Sequence, residues 1–157
     1  YSEKGVGATF NVYFPANTEE ADPEHTAHEP AAEKGEGLIL VIDDEDIVRL
    51  MAENILMECG YEVISAANGR EGVELFKNKH GSIKAVLLDM AMPGMSGKEV
   101  FIELMKIYPG VKVLLASGFR QDYRVDEALR LGITGFIQKP YSLGELSKKI
   151  KEITSIK

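Results

Sequence analysis

The amino-acid sequence predicts an α/β fold in which helices cover both faces of a parallel sheet, with a flexible acidic segment ahead of it. From residue 38 onward, short apolar runs alternate with segments that carry apolar residues at helical spacing. Wholly apolar strands that alternate with helices are typical of a parallel sheet buried between two helix layers. The chain has 157 residues and is 45% hydrophobic, which is enough for one good core.

Five strands are predicted to alternate with five helices. The first strand is the run LILVI, and the helix after it ends before Gly60, a good C-terminal stop. The strands are predicted at residues 38–42, 62–66, 85–88, 111–116 and 136–138. The helices are predicted at residues 47–59, 69–78, 97–107, 123–131 and 143–153. Right-handed crossovers leave few topologies for this order, and a flavodoxin-like (βα)5 doubly wound sandwich with a five-stranded parallel sheet fits best.

Two of the predicted helices begin with a capping box. Ser96 is followed three residues later by Glu99, and Ser142 is followed at the same spacing by Glu145. In such a pair each side chain accepts a hydrogen bond from a main-chain N–H that the helix leaves unpaired. The pattern therefore marks the starts of the third and fifth helices.

The first 37 residues differ from the rest of the chain. Residues 16–37 hold seven acids and the single base Lys34, so they carry −6 of the formal net charge of −7. With few apolar residues they predict a disordered acidic linker. In residues 1–15, a strand is predicted over residues 8–14, with Phe10, Val12 and Phe14 on one face. Because a lone strand needs a sheet, we expect residues 1–15 to be the end of a preceding domain of a longer chain. Residues 1–37 as a whole are expected to add little stability, because the linker has no core and the strand lacks its sheet.

Composition and charge argue against several classes of function. Cys59 is the only cysteine, so neither an internal disulfide nor a cysteine zinc site can form, as suits a reducing compartment. No apolar run approaches the ~20 residues that span a bilayer, which predicts no membrane contact by this segment. The part after the linker is nearly neutral, which predicts no nucleic-acid partner. We expect this segment to be cytoplasmic, and a membrane anchor elsewhere in the parent chain stays open.

Charged and polar residues stand where four of the predicted strands end. Asp43 and Asp44 follow the first strand, Asp89 follows the third, Ser117 the fourth and Lys139 the fifth. Ligands of open parallel sheets bind beyond the carboxyl ends of the strands, so these side chains should converge. Three carboxylates repel one another unless a cation intervenes, and Mg²⁺ prefers oxygen ligands. Asp89 would then act as nucleophile toward a phosphoryl group, with Lys139 and Ser117 holding its oxygens.

Taken one at a time, these residues have simpler interpretations. An aspartate at a strand end is often the N-cap of the next helix. Lys139 alone would be a solvated turn residue, and Ser117 would be a turn former beside Gly118. The simpler interpretations lose weight because the whole set stands on one edge of four different strands.

Residues 38–157 resemble a response-regulator receiver domain. The motifs that carry the resemblance are VIDDE, LLDMAMPGMSG, LLASGF and GFIQKPY. The resemblance implies that Asp89 is the phosphoacceptor. It also implies that Asp44 and Asp89 bind Mg²⁺ directly with the backbone carbonyl of Ala91, and that Asp43 acts mainly through water. Ser117 and Lys139 take the positions of the family's hydroxyl and lysine.

The same resemblance implies a conformational switch. Phe136 takes the position of the family's switch aromatic, which works together with Ser117. On phosphorylation, the surface formed by the fourth helix, the fifth strand and the fifth helix is expected to change. The Lys139–Pro140 bond is expected to be cis.

The first fifteen residues resemble the end of a histidine-kinase ATPase domain through GVGATFNVYFP. The parent chain would then resemble a hybrid sensor histidine kinase, while residues 1–157 by themselves would be a phosphoacceptor without kinase activity. The implied donor is a phosphohistidine-bearing domain of the same or a partner histidine kinase, with a histidine phosphotransfer protein as a further candidate.

Two other functions stay open at this point. One is a Mg²⁺-dependent phosphatase or phosphotransferase of the haloacid-dehalogenase type, which also uses an aspartyl nucleophile. Such enzymes usually carry a second acid two residues after the nucleophile, where this chain has Ala91. The other is a docking domain that works without phosphorylation.

Overall fold

A computed structural model describes residues 2–3, 7–8, 11–13, 32–118 and 130–156 of the chain. Two short strands near the start, β1 (Ser2–Glu3) and β2 (Gly7–Ala8), pair antiparallel. The other strands are β3 (Leu38–Ile42), β4 (Glu62–Ala66), β5 (Ile83–Asp89), β6 (Val113–Ser117) and β7 (Gly135–Gln138). The described helices are α1 (Asp46–Glu58), α2 (Gly69–Lys79), α3 (Gly97–Ile107) and α4 (Leu143–Ser155).

The five longer strands form one parallel sheet in the order β4–β3–β5–β6–β7. This is the doubly wound sheet that the sequence predicts. From β3 the chain first moves outward to β4 and then crosses back to β5 on the other side. The strand order therefore reverses at the carboxyl ends of β3 and β5, where open α/β sheets bind their ligands.

Two apolar clusters lie on opposite faces of the sheet. Along β3, Leu40 and Ile42 point into the cluster that holds Phe76 of α2 and Phe101 of α3. Their neighbours on the strand point into the cluster under α1 and α4, whose members include Ile39, Val41, Leu56, Leu146 and Ile150. Alternation along a strand that is buried on both faces explains why LILVI is wholly apolar.

Both predicted capping boxes are present. The Ser96 side chain accepts from the Glu99 N–H, and the Glu99 carboxylate accepts from the Ser96 N–H at 2.9 Å. Ser142 and Glu145 make the same pair at the start of α4. These bonds occupy main-chain groups at both helix starts that would otherwise lack partners.

The predicted fourth helix, residues 123–131, lies almost entirely outside the described residues; within it, Arg130 is helical. Of the strand predicted over residues 8–14, Ala8 lies in β2, but the prediction is wrong over residues 11–13. Residues 11–13 belong to no strand, and Val12 and Tyr13 are exposed. Phe10 and Phe14 lie outside the described residues, as does most of the predicted linker. No helix in the described ranges is long and apolar enough to cross a membrane.

Residues 33–37, the strap, follow the surface of the domain at the end of the sheet opposite the acidic residues. The Gly35 N–H donates to the Cys59 carbonyl at 2.8 Å, and the Glu33 N–H donates to Ser147 Oγ at 3.1 Å. Gly35 lies so close to the ring of Tyr61 that a β-carbon at this position would overlap it. The end of the segment that the sequence predicts as linker is thus hydrogen-bonded to the domain.

Candidate functional site

The register of β3 and β5 brings two aspartates together. Ile42 of β3 pairs with Leu88 of β5. The residues that follow, Asp43 after β3 and Asp89 at the end of β5, therefore lie side by side at the edge of the sheet. Asp43 is only 4% exposed and Asp89 only 6%. With half-buried Asp44 they form a cluster in which one carboxylate oxygen from each lies within 4.8 Å of the others.

Lys139 links the two buried aspartates. Its Nζ lies 2.7 Å from Asp43 Oδ2 and 2.6 Å from Asp89 Oδ1. The Lys139 N–H donates to the Ser117 carbonyl at 2.8 Å, which continues the pairing of β6 with β7 by one residue. The Lys139–Pro140 bond is cis, as predicted. The Lys139 ammonium therefore balances part of the negative charge where the strands end.

Main-chain groups hold the two buried carboxylates in place. Asp43 Oδ1 accepts from the Glu45 N–H at 3.0 Å, and Asp89 Oδ2 accepts from the Ala91 N–H at 2.9 Å. The start of α3 lies directly against Asp89, because a β-carbon at Gly97 would overlap the Asp89 carbonyl oxygen. Glycine at this position lets the helix begin beside the strand that carries the acid.

Burial and charge shift three pKa values at this edge. Burial raises the pKa of Asp43, although the hydrogen bond from Lys139 opposes the shift. For Lys139, burial disfavours the ammonium, but the bonds to Asp43 and Asp89 outweigh it and raise the Lys139 pKa. Burial also raises the pKa of Tyr141 to about 12, so its phenol stays neutral. At neutral pH the site therefore holds a charged Lys139 and a neutral Tyr141.

An open cavity of about 430 Å³ leads to the acids. Its lining includes Asp89, Ala91, Ser117, Lys139 and Tyr141, together with α1 residues on one side. Ser117 is buried at 3% exposure. Four of the predicted site residues thus line one space that could hold a phosphoryl group.

Phe136 lies on β7, outside this cavity. It is half-buried and packs against the apolar cluster beneath α2 and α3. It pairs with Leu115 of β6, and Ser117 is two residues further along the same strand. Because side chains alternate along a strand, Ser117 and Leu115 share one face of the sheet.

The donor set suits a hard divalent cation. Three carboxylates supply oxygen atoms, the ligands that Mg²⁺ prefers. Asp44 makes no hydrogen bond or ion pair with the residues that the structure describes, so its oxygens can bind a cation. Exposed Ala91 lines the same cavity.

Two residues at this edge were not predicted from the sequence. Arg49 of α1 donates from Nη1 to the Asp43 carbonyl at 2.8 Å. Tyr141 is buried beside Lys139 in the cavity wall. The sequence feature that could have indicated Arg49 is its position, three residues after the start of the helix that follows the acidic loop. For Tyr141, no local sequence pattern distinguishes a residue that lines a cavity from a residue of the hydrophobic core.

Comparison with known proteins agrees with this geometry. The family profile described as response regulator receiver domain matches residues 39–151. Sensor kinase CckA of Brucella abortus is 34% identical over 160 residues, which cover 97% of this chain but 17% of that protein. Chemotaxis protein CheY of Thermotoga maritima is 35% identical over 117 residues, which cover 74% of this chain and 96% of that protein.

The solved structures include a response regulator receiver domain protein from Clostridium thermocellum. It superposes with a TM-score of 0.72 at 31% identity, over 75% of this chain and 94% of that one. The residues that the family profile matches include the strand ends that carry the acidic residues. The chain therefore belongs to the response regulator receiver domain family, the phosphorelay receivers of two-component signalling.

Proposed function

We propose that this domain accepts a phosphoryl group from a phosphohistidine onto Asp89 in a Mg²⁺-dependent reaction and changes its surface when loaded. The observation that carries the proposal is the position of Asp89. This carboxylate is buried at the edge where the strand order reverses, is paired with Lys139 at 2.6 Å, and faces an open cavity. A buried acid with a cationic partner and access to solvent suits a nucleophile better than a helix cap.

In the proposed reaction an Asp89 carboxylate oxygen forms a bond to phosphorus while the phosphorus–nitrogen bond of phosphohistidine breaks. The imidazole nitrogen keeps the electron pair and takes a proton, which leaves an acyl phosphate on Asp89. Lys139 and Ser117 bind the phosphoryl oxygens as negative charge develops on them. The Ala91 N–H, which bonds Asp89 Oδ2 at 2.9 Å, holds the carboxylate for attack.

The cation site in this proposal consists of Asp44, Asp89 and the backbone carbonyl of Ala91, with Asp43 acting through water. When bound, Mg²⁺ would neutralise the acids and the phosphoryl oxygens. The carboxylate cluster and the lack of a described partner for Asp44 support this assignment.

The proposed output uses Ser117 and Phe136. The hydroxyl moves toward the phosphoryl oxygens, and the Phe136 ring moves into the space that it leaves. The position of Phe136, half-buried on β7 and paired with Leu115 of β6, supports this step.

The proposed donor is a phosphohistidine-bearing domain of the same or a partner histidine kinase, or a histidine phosphotransfer protein. On α1, Ile47 is 85% exposed and lies one turn before Met51, which lines the cavity. An exposed apolar side chain at the entrance to the site suits contact with a protein donor.

We further propose the domain division and the nature of the parent chain. Residues 1–15 are the end of a kinase ATPase domain, 16–37 a linker that ends in the strap, and 38–157 the receiver. The match to sensor kinase CckA supports a hybrid histidine kinase as parent, because it covers 97% of this chain. A cytoplasmic location is part of this proposal, since histidine kinases take their phosphoryl group from ATP.

The test is labelling of the full chain by phosphoramidate, a small phosphorus–nitrogen donor, followed by intact mass. We expect one phosphoryl group per chain with Mg²⁺ and none after chelation. Asp89→Asn should remain unlabelled, and Glu74→Gln, at an exposed acid of α2, should label like the wild type. Equal labelling of Asp89→Asn and the wild type would refute the proposal. The haloacid-dehalogenase alternative has no support at position 91, which is alanine.

A further inference from the structure

We infer that Arg49 is a positioning residue for the cation site, because it holds the peptide plane from which Asp44 projects. Arg49 donates from Nη1 to the Asp43 main-chain carbonyl at 2.8 Å and from Nη2 to Asp46 Oδ1. This inference rests on the proposed function, and it adds a residue that touches neither the cation nor the phosphoryl group.

The carbonyl of Asp43 belongs to the peptide unit that leads into Asp44. Because that unit is planar, holding its oxygen also fixes the direction in which Asp44 leaves the loop. Asp44 itself makes no hydrogen bond or ion pair within the described part of the chain. Among the described residues, the bond from Arg49 therefore orients the peptide unit before Asp44. The bond from the Glu45 N–H to Asp43 Oδ1 orients the peptide unit after Asp44.

The other contacts of Asp43 act elsewhere on the residue. Its N–H donates to the Ala66 carbonyl at 3.2 Å, and its carboxylate binds the Glu45 N–H and Lys139. The carboxylate contacts can rearrange when a cation enters, because they share the oxygen atoms that face it. The bond from Arg49 involves a main-chain oxygen and does not depend on the state of the carboxylates.

Arg49 is not an ordinary surface ion-pair residue. Its side chain is only 16% exposed, whereas that of Asp46 is 86% exposed. An exposed pair between neighbours on one helix contributes little by itself. Two guanidinium nitrogens that bind a carbonyl and a carboxylate at once define a geometry that a lysine cannot reproduce.

The positioning role and a simple charge effect predict opposite results. The guanidinium of Arg49 is bonded to the main chain of Asp43, a member of the carboxylate cluster, and its positive charge repels a divalent cation. If charge were its only effect, Arg49→Gln would bind Mg²⁺ more tightly than the wild type. If Arg49 positions Asp44, the same change weakens binding, since loss of an outer contact commonly costs tenfold or more in metal affinity.

The experiment is a Mg²⁺ titration of the full chain followed by amide resonances, with each variant first shown to be folded by its urea unfolding curve. We expect Arg49→Gln to weaken Mg²⁺ binding about tenfold. Arg49→Lys, which keeps the charge but cannot bridge both acceptors, should weaken it by a smaller factor. Arg70→Gln removes the charge of an exposed arginine in the first turn of α2 and should leave the affinity unchanged.

A second measurement distinguishes an effect of Arg49 on Mg²⁺ binding from an effect on the phosphoryl-transfer step. At saturating Mg²⁺, phosphoramidate labelling of Arg49→Gln should recover the wild-type rate. Mg²⁺ affinity in Arg49→Gln or Arg49→Lys that equals or exceeds the wild type would overturn the inference and leave the proposed function standing. Failure of the wild-type chain to bind Mg²⁺ at all would overturn both.

Discussion

At the scale of single residues, the acidic edge combines groups that destabilise the fold when each is considered alone. Burial raises the pKa of Asp43 above its ordinary value of 3.8, so the folded protein favours its neutral form. Lys139 offsets part of this effect by pairing with Asp43 and Asp89. Sites of this kind commonly hold charge at a cost in stability that function requires.

The raised pKa of Asp43 has a defined sign for stability. The stabilisation that comes from a raised acid pKa is complete below pH 3.8 and is lost as the pH rises through the folded-state value. In Asp43→Asn this titration is absent. The free energy of unfolding of the variant relative to the wild type should therefore increase from acid to neutral pH, as measured by urea unfolding with a chelator present.

Glu99→Gln is the contrasting control for this series. Hydrogen bonds from the Ser96 side chain and main chain lower the pKa of Glu99. The free energy of unfolding of this variant relative to the wild type should therefore decrease from acid to neutral pH. A difference between Asp43→Asn and the wild type that stays constant with pH would contradict the assigned pKa direction.

Residue types at strand ends made most of the site predictable from the sequence. Asp43, Asp44, Asp89, Ser117 and Lys139 were found because the ends of parallel strands share one edge. Arg49 was not found, because its partner is a main-chain carbonyl, which leaves no mark in the side-chain pattern. Tyr141 was missed because buried aromatic residues are common in cores.

At the scale of elements, the strap is the part of the segment before the sheet that is hydrogen-bonded to the domain. Its composition predicts a linker, and residues 1–37 are expected to add little stability. Residues 33–37 nevertheless hydrogen-bond to Cys59 and Ser147, which are 24 and 114 residues away from their partners Gly35 and Glu33. Charge composition cannot reveal such contacts, because they depend on main-chain groups that only the tertiary fold brings near.

Gly35→Ala tests whether the strap contributes to stability. The added methyl group would overlap the buried ring of Tyr61, so the strap must move away and lose its bond to Cys59. We expect a loss of about 1–3 kcal/mol in the free energy of unfolding, measured with urea. Gly81→Ala, where a β-carbon meets nothing within 4 Å, should change it little or raise it by roughly 0.5 kcal/mol. Equal effects of the two changes would show that the strap is not stabilising.

The exposed side of α1 can be tested as the surface that meets the phosphodonor. Ile47 is 85% exposed near the cavity, whereas Met57 is 50% exposed near the other end of the same helix. Ile47→Ser should slow transfer from a phosphorylated histidine domain about tenfold, because an apolar contact is lost. Transfer from phosphoramidate should not change, and Met57→Ser should behave like the wild type with both donors. Equal slowing of transfer from phosphoramidate would show that Ile47 affects the phosphoryl-transfer step itself and not contact with the donor protein.

At the scale of the whole molecule, we propose that β6 and β7 connect the acidic edge to the surface formed by β7 and α4. Ser117 ends β6 at the acidic edge, and Phe136 lies on the neighbouring strand. The five strands of the parallel sheet and both helix layers were predictable, because apolar runs and helical spacing reflect burial. The helix that should complete this surface was also predicted, over residues 123–131, of which only the last two are among the described residues.

Beryllofluoride, a phosphoryl mimic, should reveal the proposed relay in solution. With Mg²⁺ it should shift amide resonances across residues 117–150, because displacement of Ser117 and Phe136 changes the packing of β7 against α4. In Phe136→Ala the shifts around Asp89 should persist, while those in α4 should shrink. Changes confined to the acidic edge of the wild-type chain would contradict the relay.

The central claim is that Asp89 is the residue that carries the phosphoryl group. Borohydride reduces an acyl phosphate to the corresponding alcohol with release of phosphate, which leaves a permanent mark on the modified residue. After treatment of the full chain with phosphoramidate and Mg²⁺, reduction and peptide mass mapping should find this mark at position 89 and at no other acid. A mark at Asp43, Asp44 or any other residue, with position 89 unchanged, would contradict the account.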